Sequence, residues 1–155
     1  MSQRLSLAVL AAGVLLAPAA HAGETPARYC RRVGTDDTPR PIPGSLVPAT
    51  RRLFGLDAPD AVVQRTTVSR CVGGTVLVCT IGADLNCGKA NTSRTLAPAG
   101  RYCRENPDAP FIPAYVTGHD TVYAWRCRGV EAVAGDPTET LDARGFVARL
   151  WRPVE

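Results

Sequence analysis

The sequence is short of histidine, lysine and methionine: it has two histidines, His21 and His119, a single lysine, Lys89, and Met1 as its only methionine. Serine and cysteine hydrolases of the triad kind need a histidine as base, and beyond the amino-terminal apolar stretch only His119 could serve. Its neighbours Gly118 and Asp120 mark a bend, where a lone histidine is ordinarily solvated rather than aligned with a nucleophile. No Cys-x-x-Cys occurs, and one histidine cannot complete the usual Cys/His zinc sets, so no metal site is expected. Basic runs interleaved with aromatics are also missing, which argues against nucleic acid as a partner despite the formal net charge of +4. The initial Met-Ser-Gln-Arg has no twin arginine, so the ordinary route for unfolded chains is expected, and with it no bound cofactor.

Long apolar runs are nearly absent as well. The one present, Leu5 to Ala17, follows Arg4 and leads to Pro18 and an Ala20-His21-Ala22 cleavage pattern, so residues 1–22 read as a secretory signal and the exported chain is expected to begin at Gly23. This run is shorter than the roughly 20 residues of a membrane span, and no second one follows, so no transmembrane segment is expected in 23–155. The first cysteine after the cleavage pattern is Cys30, too far along for a lipid-anchored amino terminus. The sequence therefore places the protein in the periplasm or outside the cell, as a single disulfide-rich domain over 23–155.

What is plentiful is cysteine, proline and glycine. Cys30, Cys71, Cys79, Cys87, Cys103 and Cys127 form an even set, all beyond the signal, as expected for three disulfides in an exported chain. With 13 prolines and 14 glycines, many turns and few long elements are expected.

An internal echo narrows the pairing. Pro26-Ala27-Arg28-Tyr29-Cys30-Arg31 returns as Pro98-Ala99-Gly100-Arg101-Tyr102-Cys103-Arg104, and Ile42-Pro43, Thr67-Val68 and Arg70-Cys71-x-Gly73 return in the same order as Ile112-Pro113, Thr121-Val122 and Arg126-Cys127-x-Gly129. The repeated unit reads as a short helix carrying a cysteine, an extended Ile-Pro segment, and a strand ending in Arg-Cys before a turn. An internal duplication pairs equivalent cysteines, giving Cys30–Cys71 and Cys103–Cys127 and leaving Cys79 for Cys87.

Local patterns fill in the rest of a small disulfide-stapled α+β domain, mainly antiparallel β-hairpins with short helices. Thr66–Val72 and Thr75–Ile81 are β-branched runs around Gly73-Gly74, a hairpin with Cys71 opposite Val76. Alternation puts Cys71, Ser69, Val76 and Val78 on one face and Cys79, Leu77, Val68 and Arg70 on the other, so Cys71 and Cys79 should not bond. Ser45–Gly55 reads as a helix capped by Ser45, with Leu46, Val47, Leu53 and Phe54 on one face. A second hairpin is expected from Ile112–Thr117 and Thr121–Cys127, bending at Gly118-His119-Asp120, with Tyr123, Trp125 and Cys127 on one face. Phe146, Val147, Leu150 and Trp151 are spaced for a short terminal helix, a final strand being the alternative.

Candidate binding residues are the polar ones in constrained turns, since small exported proteins carry recognition there. They are Asp84, Asn86, Lys89 and Asn91, in the segment held by Cys87, and His119 and Asp120 at the bend. The first segment is not a phosphate loop, because its glycine spacing is wrong and Ala90 stands where serine or threonine is needed. Carboxylates such as Asp36, Asp37, Asp57, Asp60, Asp84 and Asp108 leave a two-carboxylate hydrolase open, though such residues in Pro/Gly-rich segments are usually turn formers.

Cys71-Val-Gly-Gly-Thr-Val-Leu-Val-Cys79, Cys87-Gly-Lys-Ala-Asn91 and Phe111-Ile-Pro-Ala-Tyr-Val-Thr-Gly-His-Asp120 together resemble a group of small exported bacterial proteins of unassigned function. That resemblance implies export and a shared disulfide fold, and carries over no activity, substrate or site. The expected role is an exported binding module of the cell envelope or exterior, contacting an envelope or extracellular protein or an anionic polymer through its turns. The alternatives are a histidine-poor carboxylate hydrolase acting on envelope polymers, which a deep cleft with two facing carboxylates would favour, and a structural envelope protein held by its arginines.

Overall fold

The computed structural model describes residues 23–82 and 86–154; the secretory signal expected over 1–22 and the candidate residue Asp84 lie outside the described residues. Two short helices, α1 (Pro26–Val33) and α4 (Ala97–Glu105), each begin with a proline in the first turn and carry a buried cysteine, Cys30 and Cys103. Each is bonded to an Arg-Cys pair one residue short of a strand's end. Cys30 joins Cys71 in β2 (Thr67–Val72), Cys103 joins Cys127 in β4 (Tyr123–Arg128), and the remaining bond is Cys79–Cys87. All three expected pairings are present, and no cysteine is free. A fully oxidised set fits an oxidising compartment outside the cytoplasm. Among the described residues no helix is long and apolar enough to cross a membrane.

The two halves repeat more than their disulfides. Ile42 and Ile112 are both buried, and the prolines that follow them, Pro43 and Pro113, are both extended residues from which a helical turn starts, Gly44–Leu46 in one case and α5 (Ala114–Thr117) in the other. The turn glycines Gly73 and Gly129 share φ 55°, a conformation that suits glycine. Each donates its N–H to a side chain ahead of the Ile-Pro segment, Gly73 to Thr35 at 3.1 Å and Gly129 to Asp108 at 2.7 Å.

The hairpin of β2 and β3 (Thr75–Thr80) has the expected register, with Cys71 opposite Val76. It forms the centre of a four-stranded antiparallel sheet in the order β1, β2, β3, β6, where β1 is Asp36–Pro41 and β6 is Arg152–Pro153. Both edge strands contain proline, Pro39 and Pro41 in β1 and Pro153 in β6. One sheet face, with Cys71, Val76 and Val78, packs with Cys30, Ile42, Val47 and Val63 under α1, α2 (Val47–Phe54) and α3 (Asp60–Thr66). The opposite face, with Cys79, Val68 and Leu77, packs on Cys87, Phe146, Leu150 and Trp151. A third core holds Ala99, Cys103, Ile112, Trp125 and Cys127. Each core is thus built around one disulfide.

Arg70 is 2% exposed on the second face. Its guanidinium lies 3.9 Å from the Phe146 ring centroid and 4.6 Å from that of Trp151, and it pairs with Asp142 and, at 3.5 Å, with Asp37. Arg144 reaches Asp37 at 2.7 Å. Hydrogen bonding from Arg144 holds the Asp37 carboxyl below its ordinary pKa. Burial pushes Asp142 upward, but the Phe146 N–H, Arg70 and the Arg144 N–H outweigh it, and the net shift is downward. Asp36 is lowered too, chiefly by the Tyr29 hydroxyl, which donates to it at 2.6 Å. A carboxylate with a depressed folded-state pKa stabilises fully above its unfolded value of about 3.9 and loses that contribution as the pH falls through the folded value. Stability is therefore expected to drop as the pH falls below about 4, less steeply in Asp37→Asn/Asp142→Asn. Urea midpoints at pH 6 and pH 2.5 measure this, and equal slopes in variant and wild type would overturn it.

Three expectations need correction. The second hairpin does not form from Ile112–Thr117. Pro113 starts the helical turn α5 there, and β4 pairs instead with β5 (Glu131–Pro137) across Gly129-Val130. The segment ahead of Pro113 still runs beside β4, Ile112 donating to Trp125 O and Cys127 to Ala109 O, both at 2.8 Å. Ser45 does not cap α2, because the 3-10 turn Gly44–Leu46 leads straight into it; Gly55 ends it at φ 62° as expected, while Leu53 turns outward and Thr50 is buried in the helix. Phe146 to Trp151 is not an α-helix: a single 3-10 turn, Ala148–Leu150, leads into the edge strand β6, which was the alternative. Phe146, Leu150 and Trp151 are nonetheless buried together.

Candidate functional site

The Cys79–Cys87 bond turns the chain from the end of β3 back across the domain. Lys89 pairs with Phe146 as an isolated antiparallel bridge, Ala90 donates to Gly145 O at 2.9 Å, and Asn91 pairs with Thr121 in parallel. Asn91 N–H donates to Asp120 O at 2.7 Å, and Val122 N–H donates back to Asn91 O at 3.2 Å. The two polar segments singled out from the sequence therefore meet side by side, far apart as they are along the chain.

Between them and the β4–β5 hairpin opens a cleft of about 770 Å³. Asn86, Lys89, His119 and Asp120 line it, as do Phe111, Tyr123, Trp125, Arg126 and Asp136 from the side of the β4–β5 hairpin and Glu139 and Arg149 from the far wall. This is within the roughly 300–1,000 Å³ of ordinary ligand sites. Asn91 does not line the cleft. Its side chain accepts from Ser93 N–H at 3.0 Å, so it shapes the turn. Asn86 also supports its own turn, accepting from Gly88 N–H at 2.7 Å, while its residue remains exposed at the cleft wall.

The wall formed by β4 is fixed. The indole of Trp125 donates to Thr121 Oγ1 at 2.9 Å, and Arg94 lies 4.3 Å from the Tyr123 ring centroid while donating to Ala134 O and Gly135 O. Gly135 sits where a Cβ would come within 3.1 Å of Ala124 O, so this position of β5 admits no side chain without a shift. On the far wall Arg149 grips Glu139 through two nitrogens and holds its carboxyl below the ordinary range. Lys89 is exposed, 3.8 Å from Asp37. Asp120, Asp136 and Arg126 enter no ion pair among the described residues.

Phe111 is 65% exposed and lines the cleft, while Tyr115, 81% exposed, does not line it but sits on the helical turn whose Ala114 and Thr117 do. Sequence reading left both out, together with Arg126, Asp136 and Glu139. The signal that could have found the rings was Pro110 and Pro113 on either side of Phe111-Ile112, which mark a turn rather than a strand. Among the described residues no group of three or more His, Cys, Asp or Glu could hold a metal ion.

Comparison with protein-family models, with curated proteins and with solved structures returns no match.

Proposed function

We propose that this protein is an exported binding module of the cell envelope or exterior that holds its ligand in the cleft between the Asn86–Lys89 segment and the β4–β5 hairpin. The observation that carries this reading is the cleft itself: an open, ligand-sized recess whose walls are pinned by a disulfide and by hydrogen bonds, and which is lined by Asp120, Asp136 and Arg126, none of them in an ion pair among the described residues. Walls ordered before binding reduce the entropy lost on association.

The two-carboxylate hydrolase draws support from Asp120, Asp136 and Glu139 in the same cleft. Glycoside hydrolysis needs one carboxyl kept protonated beside an ionised one; Arg149 suits Glu139 to the ionised role only, while Asp136 is exposed and Asp120 half-buried, so the cleft lacks the buried carboxyl that would serve as the acid. Binding is therefore the stronger reading.

The test is retention from envelope extract by immobilised oxidised protein, washed at low and high salt, beside Asp120→Ala/Arg126→Ala. A ligand held by the wild type at high salt and retained about ten- to a hundredfold less by the variant is the expected result, given roughly 1.5–3 kcal/mol for a hydrogen bond to a charged group. Equal retention by both would place binding elsewhere. Breakdown of a cell-wall polymer that the variant no longer performs would establish the hydrolase instead.

A further inference from the structure

We infer that the cleft takes an uncharged, hydroxyl-rich glycan chain, with Phe111 and Tyr115 as the stacking platform at its mouth. The inference rests on the reading of the cleft as a binding site and names the class of ligand.

Charge balance argues for hydroxyls. Arg126 and Lys89 offer donors, and Asp120 and Asp136 offer acceptors, while Arg149 and Glu139 neutralise each other. A hydroxyl both donates and accepts, so a ligand made of hydroxyls can satisfy this mixed set. An anionic ligand would bring like charge against Asp120 and Asp136, and a cationic one would meet Arg126 and Lys89. The interleaving of both signs in one recess thus selects against net charge on the bound unit.

An extended peptide is the other macromolecule to weigh, and the backbone argues against it. Strand addition needs an open sheet edge. Here one side of β4 is paired with β5, and on the other Ile112 donates to Trp125 O and Cys127 to Ala109 O. Ala134 O and Gly135 O of β5 accept from Arg94. The cleft wall offers side chains and not a free ladder.

The exposed rings supply the third argument. Large aromatics in a small domain ordinarily go to its core, as Phe146 and Trp151 do. Phe111 instead stands in solvent at the recess, two residues ahead of Pro113, and Tyr115 is exposed on the turn that Pro113 starts, between the lining residues Ala114 and Thr117. Flat apolar faces next to hydrogen-bonding groups match the two kinds of surface on a sugar ring, its C–H faces and its hydroxyl rim.

The experiment is titration of ¹⁵N-labelled oxidised protein with neutral tetrasaccharides built from N-acetylglucosamine, glucose or mannose, with tetragalacturonate as the anionic arm and a proline-rich peptide as the protein arm. The expected result is that a neutral tetrasaccharide shifts the amides of Lys89, Asp120 and Arg126 and the Trp125 indole. Phe111→Ala and Tyr115→Ala should each weaken its Kd by about two- to tenfold at an unchanged unfolding midpoint. If only tetragalacturonate or only the peptide shifts those signals, the glycan inference fails and the cleft stands as a binding site for another class. If no probe shifts them, the glycan inference fails, and the extract experiment above decides separately whether the cleft binds anything. Equal affinity in both ring variants and the wild type would remove the platform.

Discussion

Replacing Cys30 and Cys71 by alanine is expected to lower the unfolding free energy by about 4 kcal/mol, more than the loss of either other disulfide. The reasoning starts from chain separation. The bond spans 41 positions, against 24 for Cys103–Cys127 and 8 for Cys79–Cys87, and the loop-closure relation gives about 4, 3.5 and 2.5 kcal/mol in that order. Small domains have roughly 5–15 kcal/mol in all, so the first loss is a large share of the total. Burial adds to it, because both sulfurs belong to the core under α1 and α2, and truncation there leaves space that Ile42, Val47 and Val76 cannot readily fill. Urea midpoints of the three double-alanine variants, each with its other bonds oxidised, test the ranking. If the Cys79–Cys87 variant proves the least stable, chain entropy is not what governs these bonds.

Arg70→Ala is expected to cost about 3–5 kcal/mol, the range for breaking one partner out of a buried ion pair. Two losses combine. The guanidinium fills the space between β2 and the Phe146 and Trp151 rings, and it neutralises Asp142 and Asp37 from inside the domain. The lower end of the range is the better expectation, since the Asp142 side chain keeps 26% of its surface in water and can be hydrated when abandoned. Arg70→Met separates the contributions, restoring contact with the rings but not the charge, and should recover about half of the loss. Near-ultraviolet circular dichroism of Trp151 reports whether the ring pair keeps its geometry. A wild-type midpoint for Arg70→Ala would show that the aromatic pair packs without it.

The echo at Arg126 makes Arg70 more informative. The two arginines precede equivalent cysteines, yet Arg70 is buried and Arg126 is exposed in the cleft. In the first half Phe146 and Trp151 cover that face of the strand, whereas in the second Arg126 is exposed and no described residue covers it. One repeated position thus serves as a core lock in one half and as a cleft wall in the other.

What could be read in advance followed how local its cause was. Gly73-Gly74 between β-branched runs encodes its own hairpin, and the register followed with the two cysteine faces. The disulfide pairing was legible because the echo carried it. Helix α3 was not, since Val62, Val63 and Thr66 disfavour helix; it stands on tertiary contact, with Asp60 held by Arg51 at 2.8 Å and Val63 fully buried. Strand β5 was missed because Glu131–Pro137 contains Gly135 and Pro137 and few β formers. It is held by pairing with β4 and by packing of α4. In the cleft, the polar turns were visible one by one, but their meeting depends on the Asn91–Thr121 bridge, and a bridge between distant residues leaves no periodicity to find.

The prolines at both margins of the four-stranded sheet bear on how the protein survives at high local concentration. An unpaired strand margin is a template on which another chain can zip up, and repeated zipping yields fibrils. At positions 39 and 41 on one side and 153 on the other, the amide hydrogen that such growth needs is missing. Copies brought together on a crowded surface thus have little to nucleate on, before or after their sulfurs are joined.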